Sequence, residues 1–97
     1  MDKIRNQSVE NLVQVLAKMG QADDVYDFLS DLCTIKELQD MAQRFEMARM
    51  LKDGANYQSV AAEVGASSAT ISRVNRCLVY GNGGYEKAIA LFKGEKK

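Results

Sequence analysis

The strongest constraint on this chain is the stretch Tyr57-Gln-Ser-Val-Ala-Ala-Glu-Val-Gly-Ala-Ser-Ser-Ala-Thr-Ile-Ser-Arg-Val-Asn-Arg76. It reads as two short helices joined at one glycine. Val60, Val64, Ile71, Val74 and Leu78 are spaced to point into one core. Ala61 stands where two crossing helices need a small side chain. Gly65 stands where the backbone must leave the first helix, and glycine enters the left-handed conformation without a Cβ penalty. Ser67 offers a hydroxyl as N-cap for the second helix. This is the pattern of a helix-turn-helix. Ser68, Ala69, Thr70, Ser72, Arg73, Asn75 and Arg76 remain for the outer side of the second helix, which carries no acid. Small and polar groups of this kind suit an approach to base edges and phosphates.

The rest of the composition bears on that reading. Ninety-seven residues with no proline, and no alternating runs of β-branched residues, predict one all-helical domain. The formal net charge is zero, which lowers the expected affinity for a polyanion. The distribution is uneven, however. Asp23, Asp24, Asp27 and Asp31 crowd residues 21–33, whereas Glu63 is the only acid between Gly54 and Tyr80, against Arg73 and Arg76. Lys87, Lys93, Lys96 and Lys97 face Glu86 and Glu95 at the tail. No stretch matches a membrane span, and Met1-Asp-Lys-Ile-Arg5 lacks the apolar centre of a signal peptide. Cys33 and Cys77 do not make a disulfide framework, so the expected setting is the reducing cytoplasm.

Along the chain, helical periodicity predicts six helices. Residues 1–33 hold two: Ser8 to Met19, with Val9, Leu12, Val13, Leu16 and Met19, ended by Gly20; then one after Asp23 and Asp24 with Val25, Phe28, Leu29 and Leu32. Thr34-Ile-Lys-Glu37 matches a capping box and opens a long central helix over 34–54. Its expected face is Ile35, Leu38, Met41, Phe45, Ala48 and Leu51, widened by Met47 and Met50. Gly54 stops it. The helix-turn-helix occupies 57–79. After Gly81-Asn-Gly-Gly84, a last helix spans 84–93 with Tyr85, Ala88, Ile89, Leu91 and Phe92, and Tyr80 and Tyr85 are expected to pack it onto the core. The wide stripes of the first helices exceed what so small a chain can bury alone, and mutual burial in a homodimer would use them. A dimer would also set two reading helices one DNA turn apart, about 34 Å.

Enzymatic chemistry is not expected. There is no histidine, and no serine or cysteine sits in a nucleophile setting. Two isolated cysteines without histidine do not build a zinc site. Asp24, Asp27 and Asp31 share a helix face, which reads as solvated rather than as a cation loop.

The chain resembles the Trp-repressor superfamily, and more closely its YerC/YecD-type branch of small bacterial regulators, over roughly Leu29 to Phe92. The resemblance rests on Leu32-Cys-Thr-Ile-Lys-Glu-Leu38, Gln43-Arg44-Phe45, Leu51-Lys-Asp-Gly54, Val64-Gly-Ala-Ser-Ser-Ala-Thr-Ile-Ser-Arg73 and Leu78-Val-Tyr-Gly81, with Gly83-Gly84-Tyr85 beyond. It implies a six-helix, intertwined homodimer whose N-terminal helices interlock and whose paired helix-turn-helix units bind double-stranded DNA. It also implies a ligand question. Thr34, Arg44 and Arg73 match the threonine and the two arginines that hold tryptophan in the repressor proper. Val74 stands at the glycine position and Cys77 at the serine position. Valine fills space that the indole needs, and a thiol is a poor partner for an ammonium group. These two residues argue against free tryptophan as corepressor.

The expected function is therefore a homodimeric, sequence-specific transcriptional regulator, a repressor by resemblance. Its candidate DNA contacts are Gln58, Ser59, Ser67, Ser68, Ala69, Thr70, Ser72, Arg73 and Arg76. Its candidate ligand pocket is Thr34, Arg44, Arg73, Val74 and Cys77, for an unidentified small-molecule effector or none. No metal or other cofactor is expected. Ser67 and Thr34 also serve as plain N-caps, and Arg44 also reads as a solvated arginine near a phosphate or in an ion pair. The alternative is a ligand-sensing or protein-interaction module that keeps the fold without operator binding.

Overall fold

A computed structural model describes residues 4–94; Glu95, Lys96 and Lys97 of the charged tail, and the first three residues of the N-terminal stretch, lie outside the described residues. Six helices and no strand occupy the described part: α1 (Gln7–Lys18), α2 (Ala22–Leu32), α3 (Ile35–Lys52), α4 (Tyr57–Val64), α5 (Ser68–Tyr80) and α6 (Gly84–Phe92). The expected all-helical, six-helix fold is thus present. The chain divides into two compact units, Met1–Leu38 and Gln39–Lys97.

In the N-terminal unit, side-chain caps open α1 and the start of α3. Asn6 accepts the Val9 N–H at 2.9 Å and opens α1, so Ser8, the expected first residue, already lies within the helix. Met19 and Gly20 lie beyond its end. Met19 is extended and donates its N–H to the Leu16 carbonyl at 3.2 Å, which closes α1 without a left-handed glycine. Asp23 and Asp24 occupy the first turn of α2, where carboxylates oppose the positive end of the helix dipole. Thr34 and Glu37 form the expected reciprocal box. The Glu37 N–H donates to Thr34 Oγ1 at 3.0 Å, and the Thr34 N–H donates to Glu37 Oε1 at 2.8 Å. Neither α1 nor α2 contains a fully buried residue.

The C-terminal unit has a core. Met47, Ala48, Val60 and Ile71 are completely buried, joined by Val74, Leu78 and Ile89. Burying a side chain the size of Met47, Val60 or Ile71 contributes about 1.5–3 kcal/mol each. Ala61 and Val64 are half-buried against this cluster, as the spacing of the helix pair requires. Gly54, at φ 97°, ends α3: its N–H reaches the Leu51 carbonyl and the Ala55 N–H reaches the Met50 carbonyl, both at 3.0 Å. That pairing closes a helix through a left-handed residue.

Three packing expectations are corrected. Ile35 is 78% and Met41 41% exposed within the single chain, whereas Met47, expected as core and dimer filler, lies at the centre of the core. Of the expected α3 stripe, Ala48 is buried and Phe45 and Leu51 are half-buried against the core, while the stripe before Phe45 has no such cover in the single chain. Tyr80 is 84% exposed, and only Tyr85 of the two tyrosines packs against the core. In α6 the buried residues are Ile89 and Ala90, while Leu91 is exposed.

Candidate nucleic-acid interface

Local chemistry places α5 against α4. Asn56 accepts the Ser59 N–H at 2.8 Å and starts α4. Gly65 ends it at φ 73°, donating its N–H to the Ala61 carbonyl at 2.8 Å. Only Ala66 and Ser67 follow before α5. Ser67 Oγ accepts the Thr70 N–H at 3.2 Å and lies 3.1 Å from Thr70 Oγ1. A third tie comes from α3: Gln43 Nε2 donates to the Val64 carbonyl at 2.7 Å. Across the helix pair, Ile71, Val74 and Leu78 of α5 face the core with Val60 of α4.

With that face buried, the opposite side of α5 is determined. At about 100° per residue, Ala69, Ser72, Arg73 and Arg76 lie across the helix from Ile71, Val74 and Leu78. Ala69, Arg73 and Arg76 are exposed, and Ser72 is half-buried. Ser68 is exposed at the start of the helix, and Gln58 and Ser59 are exposed at the start of α4. Thr70 is half-buried and engaged with Ser67. The first turn of α5 contains no acid. Of the first three N–H groups of α5, that of Thr70 is taken by Ser67 Oγ, and the regular i→i−4 ladder starts with the Ile71 N–H on the Ser67 carbonyl at 3.1 Å. The other two belong to Ser68 and Ala69, where the dipole favours an anion.

Tyr80 extends the same outer face by one turn beyond Arg76. Sequence reasoning assigned it to packing, although its spacing from Arg73 and Arg76, seven and four residues, carried the signal. Gln43 was singled out only as part of the family resemblance. Its bond to Val64 spans 21 residues of sequence, and no local pattern reports it.

The five candidate pocket residues divide between the units. Thr34 belongs to the N-terminal unit, exposed, with its hydroxyl engaged as a cap. Arg44, Arg73, Val74 and Cys77 belong to the C-terminal unit. Arg44 and Arg73 are exposed on α3 and α5, and Cys77 is an exposed free thiol. Val74 is 2% exposed, its side chain committed to the core. Among the described residues no cluster of three metal-ligating side chains occurs, and no helix is long and apolar enough to cross a membrane.

Known proteins are similar to this chain in sequence and in fold. The chain is 47% identical over 89 residues to the uncharacterized protein YerC of Bacillus subtilis (strain 168), covering 92% of this chain and 86% of that one. Its fold matches the crystal structure of a TrpR-like protein from Eubacterium eligens ATCC 27750, with a TM-score of 0.87, 44% identity and 98% of each chain covered. A candidate Trp repressor from Staphylococcus aureus matches with the same TM-score of 0.87 at 36% identity, over 98% of this chain and 95% of that one. The family model described as Trp repressor protein spans residues 7–92, from the start of α1 to the end of α6, and the chain accordingly belongs to the Trp repressor family.

Proposed function

We propose that this protein is a cytoplasmic transcriptional regulator that binds a near-palindromic DNA operator as a homodimer, one α5 from each protomer entering the major groove. The observation that carries this reading is the outer face of α5. Ala69 is small enough for close approach, Ser68 and Ser72 can exchange hydrogen bonds with base edges, and Arg73 and Arg76 can reach guanine or phosphate. The N–H groups of Ser68 and Ala69 favour a phosphate oxygen at the helix start. Gln58 and Ser59 at the start of α4 suit backbone contacts that position rather than specify. Dimerisation is supported by α1 and α2, whose apolar stripes leave no residue fully buried within one protomer.

The test is selection of bound fragments from genomic DNA, followed by affinity measurements across salt concentrations. A single motif with two symmetric half-sites is expected. Replacing Arg73 by Ala should weaken specific binding by about 1–3 kcal/mol if it reads a base. A dimer without salt-dependent binding to any fragment, but with a stable protein partner in pull-down, would establish the alternative of an interaction module. The zero net charge of the sequence is what favours that second reading.

Free tryptophan is not the effector in this proposal. Val74 stands where the repressor proper has the glycine that leaves room for the indole, and its side chain is 2% exposed. Calorimetry with tryptophan should show no binding; micromolar affinity would overturn the assignment.

A further inference from the structure

Gln43 is on α3, four residues before Met47, so the two side chains share one face of the helix. Met47 is wholly buried in the core beside Val60 and Ile71. One turn earlier, Gln43 sends its amide to the Val64 carbonyl, a half-buried bond of 2.7 Å. That carbonyl belongs to the last residue of α4, where a helix leaves its own acceptors without intrahelical donors. It is also half of the peptide unit leading into Gly65, whose φ of 73° redirects the chain from α4 into α5. The donor therefore comes from the scaffold helix and grips the peptide plane that leads into the turn between the two helices.

We infer that Gln43 is a positioning residue for the reading helix: its amide clamps the Val64–Gly65 peptide and thereby fixes the angle at which α5 leaves α4. This rests on the DNA-binding reading only for its functional consequence. A specific complex requires several side chains of α5 to meet base edges in register, whereas non-specific binding needs only charge near phosphate. Loosening the angle lowers the first and leaves the second in place. Val64 and Ala66, on either side of Gly65, also pack against the core, and the Gly65 N–H is held by the Ala61 carbonyl; Gln43 adds to these a hydrogen bond from α3, which fixes the plane of the peptide between Val64 and Gly65. Ser67 acts one step later, on the first turn of α5 itself.

Gln43→Met keeps the length and apolar stem of the side chain and removes the donor. Gln43→Asn keeps the donor and shortens the reach. Both are measured in the full-length protein by NMR. The Gly65 amide nitrogen resonance reports the hydrogen bond on the preceding carbonyl, and residual dipolar couplings of α4 and α5 report their angle. In both variants the Gly65 resonance is expected to shift and the angle to change or broaden. Operator affinity is expected to fall by roughly 3- to 10-fold, the worth of one neutral hydrogen bond, with affinity for unrelated DNA unchanged. An unchanged inter-helix angle, or equal losses on operator and unrelated DNA, overturns the clamp. If the wild-type protein selects no DNA, the functional proposal fails, and the Gly65 resonance and the angle alone still decide the clamp.

Discussion

Arg49 lies over Phe92, its guanidinium carbon 4.2 Å from the ring centroid. The same ring meets Phe45 edge-on, with centroids 6.0 Å apart and planes at 79°. Glu46 Oε1 also accepts from Arg49 Nη1 at 2.6 Å. α3 and α6 are thus joined by a layered contact of ring, ring and cation. Phe92 remains 59% exposed, and its place is set by a partner that itself prefers the surface.

A double-mutant cycle measures that contact. Arg49→Ala and Phe92→Ala should each lower stability by about 1 kcal/mol, with a coupling of about 0.5–1 kcal/mol, as expected for a partly exposed cation over a ring. Urea unfolding of the two single variants and the double variant gives the number. Additive losses would show that Arg49 merely neighbours the ring.

Two glycines should respond in opposite ways to alanine. A Cβ at Gly81 would run into the carbonyl oxygen of Cys77, the same oxygen that accepts the Gly81 N–H at 2.9 Å. Gly81→Ala should therefore cost about 1–3 kcal/mol, the usual range for forced overpacking. At Gly20 nothing lies within 4 Å of the added carbon and φ is not left-handed. Gly20→Ala should be neutral, or stabilise by about 0.4–1 kcal/mol through the unfolded chain. Thermal unfolding of both variants checks the contrast; a destabilised Gly20→Ala would contradict it.

Core truncations should be severe. Met47→Ala and Ile71→Ala each remove a wholly buried side chain and should cost about 2–5 kcal/mol. Denaturant midpoints provide the comparison, and a loss well below 1 kcal/mol at Met47 would remove it from the centre of the core.

Glu10 has a pH signature. The hydrogen bond from Arg5 Nε, 2.7 Å from Glu10 Oε1, then the one from Gln14 and the Arg5 charge hold its carboxyl below the ordinary glutamate range. A depressed folded value means that the stabilisation is present above the unfolded value and is lost as pH falls through the folded one. The side-chain carboxyl resonance should titrate below that of an exposed glutamate. Arg5→Ala should raise the midpoint, and an unmoved midpoint would break the attribution.

These outcomes follow the division between what was legible in the chain and what was not. The Thr34–Glu37 box, the Gly54 stop, the Gly65 turn and the Ser67 cap are each settled within three to five residues, so residue type and spacing carry them. The face of α5 was legible because Ile71, Val74 and Leu78 leave only one other side. Asn6 and Asn56 carry the same capping chemistry and were overlooked beside more conspicuous neighbours. Tyr80 and Gln43 were hidden for another reason. Their roles depend on which element lies opposite, and helical periodicity does not say which turn of α3 meets the helix pair.

The ends of α6 are gripped by adjacent residues of opposite sign. Lys52, the last residue of α3, pairs with Glu86 at 2.9 Å, and Asp53 beside it pairs with Lys93 at 2.9 Å. Glu86 and Lys93 are seven residues apart, about 10 Å along a helix. Exposed pairs of this kind add little energy, but their order reads in one direction only. Were α6 laid down reversed, lysine would meet lysine and carboxylate would meet carboxylate. The two pairs act as a polarity mark for the last helix, disfavouring the reversed docking to which its short apolar stripe alone is indifferent.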